Sequence, residues 1–176
     1  MVAQAEDQIK NYEQDCQVFL DSKQTMVLSS LSRSGILETS VAPFVQIEGR
    51  FYVYVSDLAQ HSQNLKTMAE ENEINSNSCL LSALIVADEI ETNKLFARER
   101  LSLQLVPTPV STKTVKYTEV MELFHSKFGG IVEVLQGLDF HLFELNCQSG
   151  SYVKGFGQAF AFKNCPCQKL AQKIKQ

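Results

Sequence analysis

Three short stretches of this chain place polar side chains where chemistry could use them. Ser56-Asp57-Leu58-Ala59-Gln60-His61-Ser62-Gln63-Asn64-Leu65 runs from the end of a predicted strand into a predicted helix. Hydroxyls and amides beside the open N–H groups of a helix start can hold an anion. Ser56 or Asp57 also reads as a plain cap. In Phe96-Ala97-Arg98-Glu99-Arg100-Leu101 the alternation sends Arg98 and Arg100 to one strand face and Leu101 to the other. Two fixed guanidinium groups grip carboxylates or phosphates, or form a solvated face with Glu99 and Asp88. In Asp139-Phe140-His141 an acid and an imidazole share a strand face. Such an Asp can orient the proton of a metal-bound ligand, or simply end a turn. Cys165-Pro166-Cys167 is a single C-x-C, readable as a metal contact or as an ordinary mobile tail.

The standard catalytic signatures are absent from the sequence: no phosphate-binding Gly-rich loop, no G-x-S-x-G elbow and no H-E-x-x-H. Three His, at 61, 125 and 141, argue against a clustered zinc site. Sixteen basic against twenty acidic residues leave a net charge of −4, which disfavours non-specific nucleic-acid binding. No apolar run reaches the roughly 18–20 residues of a membrane span, and the polar, acidic N-terminus is unlike a signal peptide. The expected compartment is the cytoplasm. Five scattered Cys form no disulfide framework and are expected to be mostly reduced.

The elements that must position these residues follow from hydrophobic period. Residues 3–22 read as a helix, with Ile9, Tyr12, Cys16, Phe19 and Leu20 on one stripe. Residues 26–31, 37–45 and 51–56 read as three strands of an antiparallel meander. A helix over 58–71, with Leu58, Leu65 and Met68 as its apolar members, precedes a strand over 79–87 expected to be buried on both faces. A strand from Arg98 is expected to stop at Pro107 and Pro109. A helix pair split at Gly129-Gly130 covers 116–136, and strands over 139–145 and 152–162 close the chain. The parts are thus an N-terminal helix (1–22), a barrel domain (23–162) and a tail (163–176), the last a short basic helix or a frayed end. Seven short strands with helices between them suggest an α+β, mainly β fold: a small antiparallel split barrel with helices outside. Such a barrel fills its own interior, so a cofactor must sit on the rim or between subunits.

Val41-Ala42-Pro43-Phe44-Val45, His61-Ser62-Gln63-Asn64-Leu65, Leu95 to Leu101 and Val153-Lys154-Gly155-Phe156-Gly157-Gln158-Ala159-Phe160 occur in the order and spacing of a known family. Together they resemble the HugZ/HutZ haem-utilisation family, within the split-barrel group typified by pyridoxamine 5′-phosphate oxidase. The resemblance spans residues 20–162. It implies a homodimer that binds haem near the subunit interface and, in active members, opens the porphyrin with oxygen. Arg100 matches the strand Arg near the haem, Asp139 an acidic residue contributed by the second subunit, and His61 the His of the strand-to-helix turn. The family's axial His lies in a C-terminal loop, and this chain has no His after Phe162. Haem iron takes His or Cys thiolate well, so Cys165 and Cys167 become the ligand candidates. Ser56, Ser62, Asn64, Arg98 and His141 complete the expected cofactor-binding set. The alternatives are an FMN-binding oxidoreductase of the same fold and a cofactor-free regulatory descendant. Residues 37–45 and 51–65 contain no Arg or Lys to grip a flavin phosphate, leaving Lys66 as the nearest charge in sequence.

Overall fold

Sheet registers and helix packing come from a computed structural model that describes residues 2–74, 81–164 and 166–172. The strands are β1 (Thr25–Leu31), β2 (Leu37–Ile47), β3 (Arg50–Ser56), β4 (Leu81–Val86), β5 (Arg100–Pro109), β6 (Phe140–Gly155), β7 (Gln158–Lys163) and β8 (Ala171–Gln172). Their order is β3-β2-β1-β4-β5-β6-β7-β8, every pairing is antiparallel, and β3 also pairs with β6. That last ladder closes six strands into a barrel. The expected antiparallel barrel with outer helices is what the chain forms.

Strand β3 carries Phe51, Tyr52, Val53, Tyr54 and Val55, all buried, because its two faces serve two cores. Phe51, Val53 and Val55 point into the barrel with Leu28, Phe44, Leu101, Leu103 and Phe143. Tyr52 and Tyr54 face outward into a second core with Val120, Met121, Phe124 and Val132. The last four belong to α3 (Val115–Phe128) and α4 (Ile131–Gln136). Thr114 caps α3 by accepting from the Tyr117 N–H at 3.2 Å. Gly129, at φ 73°, ends α3 in a conformation that L side chains rarely adopt. The remaining helices are α1 (Val2–Asp21) and α2 (Gln60–Ile74).

Several details differ from the sequence expectation. Leu58 lies before α2 and is 94% exposed, whereas Leu65 and Met68 are buried as expected. Strand β4 alternates between buried Leu81, Ala83 and Ile85 and half-buried Ser82, Leu84 and Val86, so only one face is fully covered. Cys79, placed in that strand by its apolar run, lies outside the described residues. Strand β5 continues through Pro107 to Pro109. Proline tolerates strand positions where no ladder N–H is required.

The two expected C-terminal strands differ most. Residues 140–155 form one strand, because the stretch 146–151 pairs with β5 along one edge and, from Ser149, with β7 along the other. Gly150 permits this closure: a Cβ there would stand 2.4 Å from the Phe162 ring and from the Ser102 carbonyl oxygen. The tail is neither a helix nor frayed over its described part. Pro166, Cys167 and Leu170 are buried, and Ala171 and Gln172 pair with β7.

Cysteine chemistry also departs from expectation. Cys16 of α1 and Cys167 of the tail form a disulfide across 151 residues of sequence, with Cα atoms 5.2 Å apart. That separation suits the bond. Sequence spacing gave no hint of it, because only the fold carries the tail beside α1.

Glu144 on β6 is a carboxylate inside an apolar run, 6% exposed. It accepts from Lys116 at 2.8 Å, the Tyr52 hydroxyl at 3.0 Å and Arg50 at 3.2 Å. Burial alone would raise its pKa, but the bonds from Lys116 and Tyr52 outweigh that and hold it below the ordinary carboxylate range. Burial, reinforced by Glu144, pushes the Tyr52 phenol up to about 12. A folded pKa lower than the unfolded one stabilises above the ordinary carboxylate range and is lost as pH falls through the folded value. Glu144→Gln should therefore cost about 1–3 kcal/mol at pH 7. Urea melts should show the gap to the unsubstituted protein shrinking below about pH 4.

Candidate functional site

Two of the three polar stretches meet at one end of β6. The Asp57 N–H donates to the Asp139 carbonyl at 2.7 Å, and the ladder pairs Ser56 with Phe140 and Val55 with His141. Asp57 Oδ1 accepts from Lys66 Nζ and from Gln63 Nε2, the latter at 3.0 Å. The His141 ring Nε2 lies 3.5 Å from Asp57 Oδ1 and 3.3 Å from Lys66 Nζ. The hydrogen bond from Lys66 holds the Asp57 carboxyl below its usual range, with the nearby charges of Lys66 and His141 adding to the effect. Asp57, Lys66 and His141 form one partly exposed charged cluster.

The other residues of the turn have distinct duties. Asn64 is buried, donates to Ser30 Oγ at 3.0 Å and accepts from Gln60 at 3.0 Å, so it pins α2 to β1. Ser56 Oγ accepts from the Leu58 N–H at 3.3 Å, which is a turn-forming role. The hydroxyl of Ser62 is fully buried and has no hydrogen-bond partner among the described residues. His61 is half-buried; desolvation lowers its pKa, with the charge of Glu38 pulling the other way. Its imidazole is therefore neutral at pH 7 and able to act as a donor to a metal.

The arginine stretch lies elsewhere. Arg100 pairs with Val86 and Val153, whereas His141 stands twelve residues earlier on β6. That is up to about 40 Å along an extended strand. Arg98 precedes β5 rather than sharing its face, so the two guanidinium groups are not a matched pair on one strand. Its Nε donates to the Ala87 carbonyl and its Nη1 to Glu89 at 3.1 Å. Arg100 Nη1 donates to the Arg98 carbonyl at 2.9 Å. Glu99 accepts from the Tyr152 hydroxyl and pairs with Lys154 at 3.3 Å. The Val153–Phe160 stretch is thus the β6–β7 hairpin, packed beside the arginine stretch at this second end.

Sequence reasoning weighed Asp57 only as a cap and Lys66 only as a neighbouring charge. The one signal available was that Gln63 and Lys66, three apart, share a helix face, and both reach back to Asp57 in the turn before α2. Cys167 is bonded to Cys16 and buried, so in this form it has no thiolate for iron, contrary to the expectation. Cys165 lies outside the described residues. Among the described residues no cluster of three or more His, Cys, Asp or Glu could hold a metal ion by itself. No described helix is long and apolar enough to cross a membrane.

A closed antiparallel barrel sharing one long strand with an appended sheet, and flanked by helices, is the split barrel of the pyridoxamine 5′-phosphate oxidase-like fold. A putative pyridoxamine 5′-phosphate oxidase from Listeria innocua shares it at TM-score 0.55 and 10% identity, over 81% of this chain and 98% of that one. No protein-family model matches the chain. Heme oxygenase HutZ of Vibrio cholerae is 34% identical over 149 residues, which are 84% of this chain and 79% of HutZ. The chain belongs to the HutZ family. The crystal structure of HutZ, described as a heme storage protein, superposes at TM-score 0.68 with 29% identity, over 78% of this chain and 90% of that one. Campylobacter jejuni ChuZ superposes at TM-score 0.77 with 25% identity, over 92% of this chain and 61% of ChuZ.

Because Lys66 is the main cause of the Asp57 shift, Lys66→Met should return the Asp57 carboxyl toward the ordinary carboxylate range. A carboxyl-carbon NMR titration reads this directly. An unmoved Asp57 would show that the cluster does not form in solution.

Proposed function

We propose that this chain binds haem and acts in haem utilisation, with dioxygen-dependent haem degradation as its reaction. The observation that carries the reading is the 34% identity to a heme oxygenase over 149 residues; within it we assign Arg100, Asp139 and His61 to the haem site on their resemblance to the family's motifs. Iron in bound haem supplies the oxygen activation, an outside reductant the electrons, and the porphyrin is itself the substrate.

The donors of this chain suit that group. Arg100 uses one guanidinium N–H on the Arg98 carbonyl, and its remaining donors can take a haem carboxylate. His61 offers a neutral imidazole. Asp139 is exposed at the tip of the turn before β6, where its carboxylate can accept a hydrogen bond that orients a ligand or a water. His141 is held against Asp57 and Lys66 two residues beyond Asp139.

The reading includes a homodimer. Within one copy Arg100 and Asp139 stand at opposite ends of β6, so a site using both draws them from two chains. An uncovered apolar strip supports this: Leu31, Leu37 and Val41 are exposed on the outer face of β1 and β2.

The test is a haemin titration of the purified protein followed at the Soret band. Saturation at one haem per chain is expected. Arg100→Ala should weaken binding by about tenfold, the value of one charge-assisted contact. Asp139→Asn should leave affinity nearly unchanged and slow haem loss under dioxygen and reductant. A flat titration, or equal turnover by the Asp139→Asn protein, would overturn the corresponding assignment.

A further inference from the structure

We propose that the Cys16–Cys167 disulfide is a redox-controlled clasp that holds the described C-terminal residues 164 and 166–172 against α1 and β7. The proposal stands independently of haem. Among the described residues its attachment shows four features, beside the Asn164 N–H donating to the Gln148 carbonyl at 3.0 Å. Its pairing with β7 is two residues long, Ala171 with Ala161 and Gln172 with Phe160. Leu170 and Cys167 are its side chains in the barrel core cluster. Glu13 of α1 accepts from the Leu170 N–H at 3.1 Å. Three of its non-glycine residues, Asn164, Cys167 and Lys169, sit at φ 66°, 59° and 50°, in the left-handed region that costs L residues energy.

Such a segment orders its backbone against conformational entropy in return for the burial of Pro166, Cys167 and Leu170. The covalent link to Cys16 is what offsets that loss, by tying the tail to a helix that is itself anchored. The Tyr12 ring of α1 packs tilted against Phe160 with centroids 4.4 Å apart, and its hydroxyl accepts from Gln158 at 3.0 Å. Phe19 and Leu20 are buried in the barrel core cluster. α1 stays in place when the bond opens, and the tail is the part that leaves.

The chemistry is two-electron thiol–disulfide exchange with a low-molecular-weight thiol. A thiolate attacks one protein sulfur, the other leaves as a thiolate and takes a proton, and a mixed disulfide remains. A second thiol then releases the attacked sulfur, giving two protein thiols and one small-molecule disulfide. The reverse sequence, with a small disulfide as oxidant, closes the clasp. Cys16 is 0% and Cys167 3% exposed, so either sulfur is reached through a lifted tail. Redox state and tail position are therefore one coupled equilibrium. Release also removes Gln168 and Lys169, one wall of the groove whose other wall is Ser149, Gly150, Phe162 and Lys163.

Hydrogen exchange of the full chain, read by mass spectrometry in oxidised and reduced glutathione buffers, tests the clasp, with intact mass scoring the disulfide. Amides of residues 168–172 should exchange at least about tenfold faster after reduction, while those of β3 stay unchanged. Cys16→Ala and, separately, Cys167→Ala should show the fast tail in both buffers. Cys147→Ala should respond like the unsubstituted protein. Equal tail exchange in the two buffers, or failure of oxidised glutathione to close the bond in the folded chain, would overturn the proposal.

Discussion

The backbone hydrogen bonds of β6 are divided among three partner strands. One edge pairs with β5 from Phe143 to Val153, while the other pairs with β3 over residues 140–145, closing the barrel, and with β7 from Ser149 onward. A register slip of one residue would turn every side chain to the wrong face, moving Phe143 and Leu145 out of the barrel and Glu144 into it. The register is therefore fixed by three ladders together with the Glu144 contacts to Tyr52, Arg50 and Lys116. The irregularity opposite Gln104/Leu105 supplies the coiling that a strand shared by barrel and appended sheet requires.

That arrangement decides where chemistry can occur. The barrel interior is filled by side chains, so functional groups are confined to its rims and outer faces. β6 then carries His141 of the Asp57–Lys66–His141 cluster on one rim, just after Asp139, and sets Arg100, across from Val153, near the other. The distance between them is a property of strand length and is not removed by side-chain motion. A reaction that needs both groups at one ligand is consequently a property of two chains. The exposed apolar strip on β1 and β2 gives the proposed pairing a surface to bury.

Much of this was legible in the sequence, for identifiable reasons. The strict alternation of Leu101, Leu103 and Leu105 marked β5, and the β-branched and aromatic run 51–55 marked β3. The Gly129-Gly130 break separated α3 from α4. Local period failed where tertiary partners decide the outcome. The stretch 146–151 reads as a loop, yet it is a strand because β5 pairs along one edge and β7 joins the other from Ser149. The disulfide was invisible because 151 residues separate its ends. Of the candidate stretches, the helix-turn and the Asp139 stretch do converge at one end of β6. Arg98, expected beside Arg100, is instead committed to the Ala87 carbonyl and Glu89.

The central claim is that one haem site takes Arg100 from one chain and Asp139 from another. The measurement is dioxygen-dependent loss of the Soret band in a co-refolded mixture of Arg100→Ala and Asp139→Asn chains. Each mixed dimer then carries one site with both native residues and one with neither. The account predicts that the mixture turns over haem faster than either variant alone. A mixture no faster than the average of the two variants would contradict it.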